Sequence, residues 1–265
     1  MKKIGFIGCG NMGSAMMQGI IASGKAEATD IITSDVSMEA LNIRKDSLGV
    51  NITTDNIEAA KFADILFLSV KPQYYDSVIA QIKDCVDMNK IIVTIAPGKT
   101  LKYLSESFGK QLKIIRTMPN TPAMVSEGMM ALCPNENVTA EDLKLVEDIC
   151  SGFSKTEVVG ENLMDTVTAV SGSSPAYVFM FIEAMADAGV AAGLTRDKAY
   201  EFAASAVKGS AALMLETKKH PGELKDMVCS PAGTTIAAVQ TLEQGGFRGL
   251  VMDAVEACVE KAKML

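Results

Sequence analysis

The sequence predicts a doubly wound α/β fold with a mainly parallel sheet, followed by an all-helical region. Short apolar runs alternate with amphipathic stretches up to about residue 160, and such alternation is typical of βαβ units. A Gly-rich turn follows the first apolar run. After residue 160 the strand pattern stops, and long stretches rich in Ala and Met follow. We therefore expect two domains, residues 1–160 and 161–265.

The strands of the first domain are predicted from short apolar runs. The run 64–70 is almost wholly apolar, as expected of a strand that is covered on both faces. The candidates in chain order are residues 3–7, 31–34, 50–53, 64–70, 90–95, 113–118, 128–133 and 156–159.

The helices between these strands are predicted from apolar residues spaced three and four apart. Thr139, with Asp142 three residues later, predicts the capped start of one further helix. The other candidates are 14–23, 38–48, 75–82 and 101–108.

The second domain is predicted to contain four long helices, at 175–190, 196–215, 234–242 and from 247 to the end. Pro and Gly residues separate them, as at Ser230–Pro231. Their many apolar faces and small residues predict packing against a second chain as well as within one.

Composition excludes several classes of protein. The 265 residues are 48% hydrophobic and 22% charged, which excludes disorder. The most apolar stretch, 177–194, is interrupted by Glu183 and Asp187, so we expect no membrane span. The two lysines at the start are followed at once by Gly-rich polar sequence, so we expect no signal peptide. A net charge of −7 with scattered arginines argues against nucleic-acid binding.

Histidine and cysteine usage limits the chemistry. His220 is the single histidine, which excludes a multi-histidine metal site, and we expect no bound metal. Six cysteines occur without a CxxC pair, as in a cytoplasmic protein with free thiols.

The Gly-rich turn matches G-x-G-x-x-G and predicts a dinucleotide site of the Rossmann type. Its glycines are Gly8, Gly10 and Gly13, and the residues between them, Cys9, Asn11 and Met12, complete the loop. Gly8 would form the turn, Gly10 would admit a pyrophosphate and Gly13 would let helix pack on strand. The alternative is a purely structural turn.

Asp35 lies 22 residues after Gly13, at the end of the second predicted strand. A carboxylate there accepts hydrogen bonds from a ribose 2′-OH and repels a 2′-phosphate, which favours NADH over NADPH. The alternative is a solvated turn aspartate.

Six further segments resemble the pyrroline-5-carboxylate reductase family, in that family's order. They are 69–72 (SVKP), 116–122 (RTMPNTP), 169–177 (AVSGSSPAY), 220–226 (HPGELKD), 229–236 (CSPAGTTI) and 242–248 (LEQGGFR). The resemblance implies a Rossmann domain followed by a helical dimerisation domain, which agrees with the boundary near residue 160. It also implies a homodimer through the helical domain, which can associate into a decamer of five dimers, with a neighbouring chain completing the site.

The resemblance also implies which residues bind the cofactor. Besides the loop from Gly8 to Gly13 and Asp35, they are Asn56, Val70, Lys71, Pro72, Ile95, Ala96 and Pro97. Lys71 could instead end its strand in solvent. Many family members prefer NADPH and carry small or basic residues where Asp35 stands, so NADPH and NADH both remain candidates.

For the substrate, the resemblance implies Asn120 and the loop from Ser230 to Thr235, including Gly233 and Thr234. Pro231 is expected at or near the first turn of a helix whose free N–H groups bind a carboxylate. Thr235 is the candidate catalytic residue, which would orient and hydrogen-bond the imine nitrogen. As alternatives, Asn120 could be a turn residue, and the two threonines could be helix caps.

The reaction implied is reduction of the C=N bond of 1-pyrroline-5-carboxylate to L-proline by hydride from NADPH or NADH, the last step of proline biosynthesis. Because a protonated iminium already accepts hydride, this reaction does not need a histidine as proton donor. We therefore interpret the single histidine, His220, as structural. Another imine or β-hydroxyacid reductase and a non-catalytic dinucleotide sensor are the alternatives. The first helix of the second domain lacks the lysine that the β-hydroxyacid enzymes place there.

Overall fold

A computed structural model describes residues 2–264. The chain forms two compact units. The first runs from the N-terminus to Ser173 and includes the segment from Cys258 onward; the second is Ser174–Ala257. The predicted domain boundary at residue 160 stays a prediction.

The first unit contains an eight-stranded sheet in the order β3-β2-β1-β4-β5-β6-β7-β8. All neighbours pair in parallel except β6 and β7, which are antiparallel. The strands are β1 (Ile4–Ile7), β2 (Ile31–Ser34), β3 (Asn51–Thr53), β4 (Ile65–Leu68), β5 (Ile91–Thr94), β6 (Lys113–Met118), β7 (Gly128–Pro134) and β8 (Ser154–Val158). The predicted doubly wound, mainly parallel sheet is confirmed.

The order of strands reverses between β1 and β4. In open α/β sheets, ligands bind beyond the carboxyl ends of the strands at this point. The fold therefore locates a candidate site before any side chain is considered.

Helices connect the strands. They are α1 (Asn11–Ala22), α2 (Met38–Leu48), α3 (Asn56–Phe62), α4 (Tyr75–Ile82), α5 (Leu101–Phe108), α6 (Ala140–Cys150) and α7 (Met164–Val167), and a π-helical turn, Thr168–Gly172, follows α7. The capping box predicted at Thr139 and Asp142 is present. Sequence analysis missed α3 and the segment 164–172, because both are too short to give a clear periodic pattern.

Apolar side chains cover both faces of the sheet. On β4, Ile65 and Phe67 enter one core cluster, whereas Leu66 and Leu68 enter the other. The ring of Phe67 stacks on Phe6 of β1, with centroids 4.7 Å apart. This two-sided burial confirms the prediction made from the run 64–70 and fixes the ends of β1 and β4 beside each other.

The second unit is helical, as predicted. Its helices are α8 (Ser174–Ala191), α9 (Arg196–Thr217), α10 (Pro221–Val228), α11 (Thr234–Gln244) and α12 (Phe247–Ala262), whose last residues belong to the first unit. Sequence analysis missed α10, because its initial pair, Pro221 and Gly222, was interpreted as a break between two helices. Pro is in fact favourable in the first turn of a helix.

Large apolar side chains of the second unit are exposed in the single chain. Phe179, Phe202 and Leu250 are 64%, 65% and 65% exposed. Within 174–257, where every residue is described, the only buried residues are Ala186, Ala199 and Ala203. Exposure of so many large apolar side chains is typical of a region that packs against a partner.

Other features of the described part of the chain bear on its chemistry. No helix between residues 2 and 264 is long and apolar enough to cross a bilayer. Over the same residues, no group of three or more His, Cys, Asp and Glu side chains could hold a metal ion. All six cysteines are free.

Candidate active site

The glycine loop joins β1 to α1 and leaves room for a ligand at one position. Gly8 has φ +103°, and a Cβ there would lie 2.7 Å from the carbonyl oxygen of Ser69. A Cβ on Gly13 would lie 2.6 Å from the carbonyl oxygen of Gly8. A Cβ on Gly10 would meet no protein atom within 4 Å. Two glycines are thus required by the protein itself, and the third borders open space.

That open space adjoins a helix N-terminus. Gly10 is the N-cap of α1 and supplies no side-chain cap. The first N–H groups of a helix have no intrahelical partner and favour anions. The loop therefore fits a pyrophosphate, with the backbone N–H groups of Asn11, Met12 and Gly13 beginning the helix.

Asp35 follows β2 and is fixed against this loop. Its Oδ2 accepts a hydrogen bond from the backbone N–H of Cys9 at 3.0 Å and faces Cys9 Sγ at 3.4 Å, while Oδ1 accepts from the N–H of Ser37 at 3.0 Å. Burial alone would raise the pKa of Asp35, but these backbone N–H groups outweigh it and the pKa lies below its usual range. The carboxylate is therefore ionised and held beside the loop.

Cys9 is chemically quiet in this setting. Its burial, followed by the negative charge of Asp35, raises the pKa of the thiol to about 11. Because the thiolate is the reactive form, Cys9 is a poor nucleophile at neutral pH.

Asn56 lies close to the end of β2, where it opens α3. Its Oδ1 accepts a hydrogen bond from Ser34 Oγ at 2.7 Å, and its Nδ2 donates to Gln81 at 2.9 Å. Ser34 is the last residue of β2, so Asn56 is tied to the strand that precedes Asp35.

The remaining predicted cofactor residues follow β4 and β5. Ser69 connects β4 to the glycine loop, because its Oγ donates to the carbonyl of Gly8 at 2.6 Å. Val70 comes next, Lys71 is exposed, and Pro72 begins a short 3₁₀ turn. Ile95, Ala96 and Pro97 follow β5, which pairs with β4.

These positions belong to one edge of the sheet. The glycine loop, Asp35, Asn56, residues 70–72 and residues 95–97 follow β1, β2, β3, β4 and β5, whose parallel carboxyl ends share that edge. The structure thus groups the predicted cofactor residues, whereas their contacts with a cofactor remain a prediction.

Asn120 follows β6 and bridges two segments of the first unit. Its Oδ1 accepts from the N–H of Met129 at 2.9 Å, and its Nδ2 donates to Ser171 Oγ at 3.3 Å. Ser171 belongs to the π-helical turn. Both ends of the carboxamide are therefore used within the chain, and Asn120 also starts the 3₁₀ turn Thr121–Val125, where its carbonyl accepts from the N–H of Ala123 at 3.1 Å.

Arg116 is a functional candidate that sequence analysis missed. Its side chain is 3% exposed, and its guanidinium pairs with Glu161 at 3.1 Å and Asp165 at 3.6 Å. Glu161 Oε1 also accepts from the N–H of Leu101 at 2.6 Å. An arginine inside an apolar strand is a signal for such partners, because a buried charge must be paired. The network ties β6 to the segment that leads into the π-helical turn.

The predicted substrate loop lies in the second unit as a tight turn before α11. The N–H of Gly233 donates to the carbonyl of Ser230 at 3.0 Å, and Ala232 has φ +55°. A Cβ on Gly233 would lie 2.3 Å from Ser230 Oγ and 3.1 Å from the Ser230 carbonyl oxygen, so a side chain there would require the Ser230 hydroxyl to rotate.

The helix begins at Thr234, as predicted, and Gly233 is its N-cap. Pro231 lies near the first turn of the helix, within the turn that the Ser230–Gly233 hydrogen bond closes. Thr234 and Thr235 are the first two helical residues, so neither is the N-cap. Gly233 offers no side-chain cap, and Thr235 is half-buried.

His220 has a structural role in the second unit. It is the N-cap of α10, and its Nδ1 accepts a hydrogen bond from the N–H of Gly222 at 3.1 Å. This contact satisfies one free donor of the helix start, as expected of a cap.

Two family descriptions match the chain. "Pyrroline-5-carboxylate reductase dimerisation" matches residues 161–265, and "NADP oxidoreductase coenzyme F420-dependent" matches residues 3–98. The first match supports a homo-oligomer.

Curated and solved relatives span the whole chain. The pyrroline-5-carboxylate reductase of Escherichia coli K12 is 50% identical over 264 residues, 100% of this chain and 98% of that protein. A solved reductase from Coxiella burnetii has a TM-score of 0.92 at 35% identity and covers 99% of this chain and 98% of its own. The Plasmodium falciparum enzyme, solved with NADP bound, has a TM-score of 0.91 at 35% identity, with 99% and 97% covered. By these full-length relationships and its matching sheet and helices, the chain belongs to the pyrroline-5-carboxylate reductase family.

Proposed function

We propose that this protein reduces the C=N bond of 1-pyrroline-5-carboxylate to L-proline with NADPH or NADH, as the last step of proline biosynthesis. The observation that carries the proposal is the glycine loop at the β1/β4 reversal, with its open space at Gly10, in a chain that belongs to this family throughout its length.

A bound nicotinamide cofactor supplies the hydride, which adds to the imine carbon while the ring nitrogen keeps or gains a proton. In the proposal, the backbone from Gly8 to Gly13 binds the pyrophosphate. Residues 70–72 and 95–97 border the path to the nicotinamide. Positioning of two reactants can lower a barrier by about 7–11 kcal/mol, so rigid loops at the strand ends are the main contribution expected of this unit.

Cofactor choice is proposed to depend on Asp35. Its ionised carboxylate, fixed by the N–H groups of Cys9 and Ser37, repels a 2′-phosphate and accepts from a free 2′-OH. The proposal is therefore that Asp35 favours NADH.

For the substrate, the proposal assigns the carboxylate to the start of α11 and the imine nitrogen to Thr235. Ser230, Gly233 and Thr234 build the turn that presents the first-turn N–H groups. These N–H groups have no intrahelical partners, which suits an anion. The Thr235 hydroxyl orients the imine and donates a hydrogen bond; it is a poor acid, so no proton transfer is assigned to it. Asn120 is proposed to hold the wall of the substrate site.

The arrangement proposed for the whole protein is a cofactor domain at 1–160 and a substrate and dimerisation domain at 161–265. The exposed apolar helices of the second unit support a homodimer through that domain. A decamer of five such dimers and a cytoplasmic location complete the proposal.

The decisive test measures oxidation of NADPH and NADH side by side with 1-pyrroline-5-carboxylate, and identifies the product as proline. Thr235→Ala should lower kcat/KM for pyrroline-5-carboxylate by about tenfold or more, the cost of one hydrogen bond to a charged group. The Kd of either cofactor should stay unchanged. Thr235→Ser keeps the hydroxyl and is the matched control.

Two outcomes would contradict the proposal. Cofactor binding without turnover would support the dinucleotide sensor. Equal kinetics for wild type and Thr235→Ala would remove this threonine from the site.

A further inference from the structure

Tyr75 is a fully buried side chain whose hydroxyl lies at the cofactor edge of the sheet. It is the first residue of α4 and is 0% exposed. Its ring belongs to the core cluster that also contains Leu68 and Ala96. A buried hydroxyl requires partners, and in this case they are backbone groups.

Those partners lie at and just past the last residue pair of the β4–β5 ladder. The register of the two strands ends where Leu68 lies beside Thr94. The Tyr75 hydroxyl donates to the carbonyl of Leu68 at 2.8 Å. The backbone N–H groups of Ile95 and Ala96 approach the same oxygen. The hydroxyl is thus bonded to the end of β4 and lies beside the first residues that follow β5.

This link holds together the two loops assigned to the cofactor. Residues 70–72 leave from the end of β4, and residues 95–97 leave from the end of β5. Without the hydroxyl, the Leu68 carbonyl would lie in a buried region without that partner, and leaving such a group unsatisfied is costly. The backbone would shift to recover a partner, and the two loops would move with it.

We propose that Tyr75 is a positioning residue, which sets the distance between the 70–72 and 95–97 loops by donating a hydrogen bond to the Leu68 carbonyl while its oxygen faces the N–H groups of Ile95 and Ala96, and thereby aligns the nicotinamide for hydride transfer. This inference rests on the proposed function. It assigns Tyr75 no contact with cofactor or substrate. A displacement of about 1 Å at a reacting pair can lower a rate by about a hundredfold, so a partial shift is expected to be measurable.

The test is Tyr75→Phe, which removes the hydroxyl and keeps the ring. Tyr103→Phe is the matched control, because it also removes a tyrosine hydroxyl, but one that bonds the Asp76 carboxylate at 2.5 Å rather than the end of β4. In Tyr75→Phe, kcat/KM for the nicotinamide cofactor should fall about fivefold or more, with the KM for pyrroline-5-carboxylate within about twofold of wild type. Hydrogen exchange at the backbone N–H groups of Ile95 and Ala96 should become faster. Tyr103→Phe should match wild type in both measurements.

The outcomes separate the inference from the function on which it rests. A wild-type protein that does not reduce pyrroline-5-carboxylate would refute the proposed function, whereas the exchange measurement would still test the link between the loops. An active wild type together with a Tyr75→Phe enzyme that has a lower Tm but unchanged kinetics would overturn the positioning role. If Tyr75→Phe does not fold, Tyr75→Met, whose flexible side chain fills the same space, serves for the same comparison.

Discussion

Replacing Gly10 by alanine should separate cofactor binding from stability. Gly10 has φ −64° and ψ −172°, a conformation that alanine adopts freely, and an added Cβ would meet no protein atom within 4 Å. The methyl group would instead occupy the space assigned to the pyrophosphate. The substitution therefore leaves the protein's own contacts intact and blocks only a ligand.

The expected stability change is small because two effects oppose each other. Alanine is less favourable than glycine at an N-cap by about 1 kcal/mol. Reduced freedom of the unfolded chain offsets about 0.4–1 kcal/mol of this. The net change is within about 1 kcal/mol, or a Tm shift of roughly 2–4 °C. By contrast, a displaced pyrophosphate should raise the Kd of NADPH and NADH at least tenfold, about 1.4 kcal/mol.

The assay combines nicotinamide fluorescence titration with calorimetry at one fixed protein concentration. Gly8→Ala is the comparison, since its Cβ would lie 2.7 Å from Ser69 and its φ is +103°. It should lower the Tm clearly, as expected when alanine is forced into a left-handed conformation. A Gly10→Ala protein that binds NADPH with wild-type affinity would refute the assignment of the pyrophosphate to this loop.

Four further substitutions test other parts of the argument. Asp35→Ser should raise the kcat/KM for NADPH relative to that for NADH, because a negative charge near the 2′ position is removed. An unchanged ratio would show that this carboxylate does not determine cofactor choice. His220→Asn should keep both Tm and the pH–rate profile close to wild type, because asparagine also caps helices; loss of the acid limb would indicate a catalytic histidine. Arg116→Leu should lower stability by about 2 kcal/mol in a denaturant titration, less than for a fully buried pair because its two carboxylate partners are about one-third exposed. Burial would raise the pKa of Asp142, but its bonds to Lys113 and to the Thr139 cap lower that pKa. The ionised carboxylate therefore stabilises the fold at pH values above the ordinary carboxyl pKa, and this stabilisation is lost as the pH falls through the lowered pKa. Asp142→Asn should thus be less stable than wild type at pH 7 and lose that difference in acid, as measured by urea unfolding at each pH.

The sheet was predictable from sequence because its signals are local. Burial of β4 on both faces follows from the apolar run 64–70, and the Thr139 capping box follows from spacing alone. The glycine loop was also predictable, because the G-x-G-x-x-G spacing directly follows the first strand.

Other parts depend on contacts between distant residues. Arg116 meets Glu161 45 positions later, and Asn120 meets Ser171 51 positions later. No spacing rule links such pairs. Likewise, the sequence indicates only that Tyr75 is a core residue of its helix. The bond from its hydroxyl to the end of β4 is visible only in the folded structure.

The folding of the helical unit should depend on protein concentration, because the residues buried within it are only small alanines. A unit that leaves Phe179 and Phe202 uncovered in the single chain gains little apolar burial until a partner arrives. Its folding equilibrium should therefore shift on dilution, as in obligate dimers. The first unit, with cores on both faces of its sheet, has no such dependence. In a newly made chain, the first unit is thus expected to be folded before the second unit, which becomes stable only when it pairs with a second copy.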